Sequence, residues 1–169
     1  MSIYFNPGNI EIGQGYAGET GEAYGEGRFP AFENAQMGTR ALFKDLRTKL
    51  RKFKGDIPSM IRRYAPPSEN ETKNYINFVI KNIGKDKIEE EDLPAVARAI
   101  IKMENSEEGR KYYLDDPKIL EEGYKLSTLD LPHKASYEDA VIEFNTKQVR
   151  KNIGGMVSRN PYLYNPRPI

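Results

Sequence analysis

The residue best placed to do chemistry is Glu104, in the run Ala97-Arg-Ala-Ile-Ile-Lys-Met-Glu-Asn-Ser106. At helical spacing, positions 93, 97, 100 and 104 share one face, so this carboxylate continues an apolar stripe while Glu107 and Glu108 turn to water. Burial raises a carboxyl pKa, and a carboxylic acid still protonated near neutrality is what protonating a glycosidic oxygen requires. A glutamate that simply leaves the core as its helix runs out has the same spacing, and spacing alone favours that plainer reading.

Other candidates are weaker. Gly13-Gln-Gly-Tyr-Ala-Gly18 matches a dinucleotide-binding string, but the residues that follow, Glu19-Thr-Gly-Glu22, are acidic and glycine-broken where a phosphate site needs an opening helix. The string reads as a glycine loop. There is no cysteine, which removes disulfides, thiolate metal sites and cysteine nucleophiles together. The single histidine, His133, follows Pro132 with no second histidine to share a metal or a triad, so it reads as a surface residue. Neither a metal nor a cofactor is expected.

These residues must be positioned by helices. Met37, Leu42, Leu46, Leu50 and Phe53 form one apolar stripe, stopped by Gly55. Asp56 as N-cap and Pro58 in the first turn open a short helix that ends before Pro66-Pro67. A third helix starts at Ser68 or Asn70 and stops at Gly84; a fourth starts at Asp92, with Pro94 in its first turn. Later helices are expected from Asp116-Pro117 to Leu126, and from Ser136, where Ser136 and Asp139 resemble a capping box, to about Gly154-Gly155. Between 6 and 32 the glycines, with β-leaning pieces at 9–12 and 28–32, predict an irregular loop or small hairpin.

Formal net charge is only +1, yet the charge is unevenly placed. Residues 1–35 hold five acids against Arg28 alone, whereas Arg40 to Lys54 is densely basic. Such a stretch could contact phosphates, but with little aromatic interleaving it reads as a solvated or protein-facing helix surface, and nucleic acid is an unlikely partner. No run approaches the roughly 18 apolar residues of a membrane span, and the first residues lack the pattern of a signal peptide. The expectation is a protein made in a cytoplasm.

Four motifs occur in order: Asn6-Pro-Gly-Asn-Ile10, Phe29-Pro-Ala-Phe through Leu42, Tyr64-Ala-Pro-Pro-Ser-Glu-Asn70 and Ala99-Ile-Ile-Lys-Met-Glu-Asn105. Together, over residues 6 to about 106, they resemble a family of tailed-bacteriophage and prophage virion structural proteins. In many relatives an aromatic occupies the glycine loop and a histidine precedes the Glu-Asn pair; here Tyr16 fills the first role and Met103 replaces the histidine. The same segments also resemble lysozyme-superfamily peptidoglycan hydrolases, with the helix carrying the glutamate after the loop region instead of before it, so that resemblance implies a circularly permuted, lysozyme-like core. It further implies Glu104 as general acid and then base, with Asn6, Asn9, Tyr16 and Tyr24 lining a sugar groove.

The fold expected is mainly α: a compact helical core with a Gly-rich N-terminal loop or small β-hairpin over 1–109, additional helices packed on it over 110–153, and an extended tail over 154–169. That tail contains three prolines and two tyrosines and no acid. Arg159, Tyr162, Leu163, Tyr164, Arg167 and Ile169 are its candidate docking residues. The function expected is a virion component that contacts other virion proteins and its own copies. The alternative is a virion-borne peptidoglycan hydrolase.

Overall fold

A computed structural model describes residues 4–65 and 68–159, with the backbone alone for 69, 70 and 154–159. A short antiparallel hairpin, β1 (Glu19–Tyr24) and β2 (Phe29–Phe32), leads into seven α-helices. Its register pairs Glu19 with Phe32 and Tyr24 with Phe29, with an irregularity between Glu19 and Ala23. The piece at 9–12 does not form the strand its composition suggests. Asn9 lies in the left-handed region at φ 46°, which breaks extended pairing, and only the Ile12 N–H reaches back to the Arg28 carbonyl at 2.8 Å.

Helix α1 (Ala35–Phe53) is the centre of the molecule. Asn34 caps it by accepting from the Met37 N–H, and Lys54 closes it at a left-handed φ of 51°. Its buried face, including Met37, Leu42 and Leu46, packs against α2 (Ile57–Tyr64), α4 (Leu93–Glu104) and, most extensively, α6 (Pro117–Ser127). Asp56 caps α2 through the Ser59 N–H, as the sequence predicts, and α3 (Glu69–Ile83) stops at Gly84 with φ 83°. A 3₁₀ turn, Glu90–Asp92, precedes α4.

Two features differ from the expectation. Helix α5 (Glu107–Leu114) has no legible apolar stripe, because only Gly109 and Tyr113 are buried along it. Helix α7 (Tyr137–Arg159) opens with the reciprocal Ser136–Asp139 box, but it continues past Gly154 and Gly155 to Arg159. The first residues of the expected tail are therefore helical backbone, and a glycine pair at a helix end costs about 1 kcal/mol each without forbidding helix. Residues 160–169, with Tyr162, Leu163, Tyr164, Arg167 and Ile169, lie outside the described residues.

The basic face of α1 is also less solvated than expected. Arg40 is 1% exposed, donating from Nε to the Leu126 carbonyl at 3.1 Å and from Nη2 to the Leu129 carbonyl at 2.9 Å. Arg47 donates to the Ser127 carbonyl and to Glu90. These cations satisfy carbonyls at the C-terminal end of α6, where a helix leaves acceptors unpaired and carries partial negative charge. Tyr113, Leu120, Leu126 and Ala140 join the same hydrophobic cluster as α1 to α4, so the later helices share one core with the first four.

Candidate functional site

Glu104 is the last residue of α4, and it does not run out into water. Its Oε1 accepts from the Tyr75 hydroxyl at 2.9 Å, and its Oε2 accepts from the Asn9 side-chain amide, also at 2.9 Å. Asn9 in turn accepts from the Tyr24 hydroxyl at 2.6 Å. The chain Tyr24, Asn9, Glu104, Tyr75 thus links the hairpin, the N-terminal loop, α4 and α3. The left-handed backbone at Asn9 aims its side chain at the helix end, and Asn tolerates that conformation better than most residues.

The loop is clamped from several sides. Asn105 donates to the Pro7 carbonyl at 2.7 Å, and the Tyr64 hydroxyl donates to the Gly8 carbonyl. A Cβ at Gly8 would lie 2.5 Å from the Tyr64 hydroxyl and 2.7 Å from Leu42 Cδ1, so any larger residue requires these side chains to shift. At Gly38 of α1, a Cβ would fall 1.6 Å from the Phe5 carbonyl oxygen, so the loop lies directly on the helix backbone. Residues from all four sequence motifs therefore meet at one place.

Burial first, and the Glu104 carboxylate second, push the Tyr75 and Tyr24 hydroxyls well above the ordinary phenol range. Tyr64 is driven the same way, again chiefly by burial. All three remain protonated donors at neutral pH, which suits an acceptor carboxylate among them.

Beside this cluster lies a cleft of about 340 Å³ that Glu104 lines together with Asn9, Glu11, Arg28, Phe29, Arg62, Arg63 and Tyr64. A second cleft, about 250 Å³, shares Asn9, Glu11, Arg63 and Tyr64 and adds Gln14, Asp45 and Lys49. Tyr64 lines both clefts, with Glu104 in the first and Asp45 in the second. Glu11 is held by Arg28 at 2.5 Å, and both Asp45 oxygens accept from Lys49 at 2.6 Å. Arg62 and Arg63 are exposed at the end of α2, where they add positive charge to the lining of the cleft that holds Glu104.

Among the residues expected to line a sugar groove, Asn9 lines both clefts and Tyr24 orients it. Asn6 has a different place: it is buried, its amide donating to the Ile10 and Pro30 carbonyls and its oxygen accepting from the Ile10 N–H, all at 3.0 Å. It holds the loop to β2. Tyr16 lines neither cleft; its N–H donates to Glu19 and its ring packs on the core. Tyr75 is 5% exposed in the core, and sequence reasoning missed that its hydroxyl serves Glu104. Arg62, Arg63 and Phe29 were also missed; an Arg-Arg pair at a helix end beside the Tyr64 motif was the available signal.

His133 is exposed in the turn before α7. No group of three or more His, Cys, Asp or Glu is arranged to hold a metal among the described residues, and none of their helices is long and apolar enough to cross a membrane.

No protein-family model matches the chain. It is, however, similar to Protein P5 of Pseudoalteromonas phage PM2, at 38% identity over 112 residues, which cover 59% of this chain and 67% of that protein. The chain belongs to the Protein P5 family. In this member of the P5 family, hydrogen bonds tie the N-terminal loop to the hairpin and to the ends of α2 and α4, whereas Arg159 closes α7 far along the chain from them.

Proposed function

We propose that the protein is a structural component of a bacteriophage virion, held in place by contacts with other virion proteins. The observation that carries this reading is the relationship to a phage protein along most of that protein's length, together with the virion-family motifs. Its positioning by a C-terminal strap, using Arg159, Tyr162, Leu163, Tyr164, Arg167 and Ile169, belongs to the same proposal. Purified particles should contain the protein at a fixed copy number, and deletion of residues 160–169 should abolish incorporation while leaving helical content unchanged. Its absence from particles, while it accumulates in infected cells, would overturn the reading.

A second reading, a particle-borne peptidoglycan hydrolase, is favoured by one specific observation. The Asn9 to Glu104 hydrogen bond puts the candidate carboxylate in a groove shared with the loop from Asn6 to Tyr24. In that reading Glu104 delivers a proton to the glycosidic oxygen and then, as carboxylate, takes one from the attacking hydroxyl. Phe29 and Tyr64 line the cleft, with Arg28 and Lys49 over their rings, and Asn9 and Tyr75 steer the carboxylate. Clearing of purified peptidoglycan should be lost in Glu104→Gln; clearing equal to the parent would eliminate the enzyme reading and leave the structural one standing.

A further inference from the structure

We propose that α7 pairs with α7 of a second copy as an antiparallel two-helix seam, making the protein a twofold dimer. The helix is only partly used by its own fold. Ala140 is fully buried and Phe144 packs against the core, but from 145 to 153 every residue except the half-buried Thr146 is exposed. The helix carries large apolar side chains facing water: Ile142 is 59% exposed, Val149 56% and Ile153 40%.

With Thr146 between them, these residues follow the sequence positions 142, 146, 149 and 153. Alternating steps of four and three are the seam of a coiled coil, not the wider face of a helix that covers a globular core. Thr146 fits an interior position, because its hydroxyl already donates to the Ile142 carbonyl at 2.8 Å and needs no new partner when covered.

Charge selects the occupant. The first part of α7 carries Glu138, Asp139 and Glu143, and the later part carries Lys147, Arg150 and Lys151. A parallel copy would set like charges side by side. An antiparallel copy sets acid against base twice over, with Glu143 beside Arg150 of the second copy and the reverse across the axis. The apolar positions obey the same symmetry: Ile142 meets Ile153 of the second copy, and Thr146 meets Val149. Such self-complementarity is what a twofold interface demands, and the opposed helix dipoles agree with it.

Light scattering on the full chain at micromolar concentration should give twice the 19.3 kDa chain mass. Val149→Asp should give monomer with an unchanged helical signal. Glu143→Arg should weaken association about tenfold or more, and adding Arg150→Glu should restore it, since the pair then attracts again. The chain has no native cysteine, so introduced ones report cleanly. A mixture of Thr146→Cys and Val149→Cys proteins should form a mixed disulfide. A monomeric parent overturns the proposal, including the case in which residues 160–169 cover the stripe instead. So does a dimer indifferent to Val149→Asp, or one in which Val149→Cys links to itself more readily than to Thr146→Cys.

Discussion

The side-chain amide of Asn9 donates to the Glu104 carboxylate at 2.9 Å across 95 positions of sequence, and this contact joins the N-terminal loop to the end of α4. With Tyr75 donating to the other carboxylate oxygen, Glu104 is the node on which loop, hairpin, α3 and α4 converge. Whatever passes through the groove beside it meets a side chain already fixed in direction.

Tyr75→Phe removes one of the two donors while keeping the ring in the core. Hydrogen bonds to a charged group contribute about 1.5–3 kcal/mol, so a loss of stability in that range is expected in urea unfolding, with an unchanged m-value. A change under 0.5 kcal/mol would mean that solvent replaces the phenol freely. Asn9→Asp should cost more at neutral pH, because it sets a second carboxylate against Glu104.

Arg40→Met tests the buried cation between α1 and α6. The substitution keeps most of the volume but removes the Arg40 donors to the Leu126 and Leu129 carbonyls, of which Leu126 keeps its bond from the Leu129 N–H. A destabilisation of about 2–4 kcal/mol is expected. Because the Nη1 atom of Arg40 is itself buried without a partner, a stabilised Met variant would instead mean that desolvation of the guanidinium outweighs its two bonds.

Gly38→Ala should be among the most damaging single methyl additions in the chain. Its Cβ would collide with the Phe5 carbonyl, a backbone atom that cannot swing aside as a side chain can. A cost of about 3 kcal/mol, or failure to fold, is expected, compared with a change within about 0.5 kcal/mol for an exposed-site control such as Gln148→Ala. Equal melting temperatures for the two variants would refute the close approach.

Stability should fall at both ends of the pH scale. Asp56 is held below the ordinary carboxylate range chiefly by its side-chain bond to Ser59, Asp92 and Asp130 by Lys85 and Lys44, and Asp139 by the Ser136 N–H. Their folded values lie under the unfolded one near 3.9, so their contribution is full above about pH 4 and is lost as pH drops through the folded values. At the alkaline end, Tyr24, Tyr64 and Tyr75 have folded values raised by burial above the unfolded value of about 10. The unfolded chain ionises first, so stability declines as pH rises beyond about 10. Melting curves across pH check both limbs. Asp56→Asn with Asp139→Asn should flatten the acidic one only.

Much of the secondary structure was legible because its signals are local. Asp56 with Pro58, Gly84, Asp92 with Pro94, and the Ser136–Asp139 pair each act within one helical turn, and each marks a boundary the structure reproduces. Helix α5 was hidden because it buries too little to show a period, and the continuation of α7 past Gly154 was hidden because glycine weakens a helix without ending it. At the site, the stripe through 93, 97, 100 and 104 singled out Glu104, although spacing alone favoured a glutamate that leaves the core. The fate of Asn6 was not visible, since an asparagine that pins backbone and one that meets a ligand look alike in sequence.

By itself, then, the sequence determined the helical class, the caps and the motifs, all of which rest on interactions within a few residues. Only the tertiary structure decided that Asn9, Tyr24 and Tyr75 surround Glu104, and that Arg40 is interior. Those outcomes depend on which loop lies on which helix, and contacts between residues 15 to 95 positions apart leave no periodicity along the chain to read.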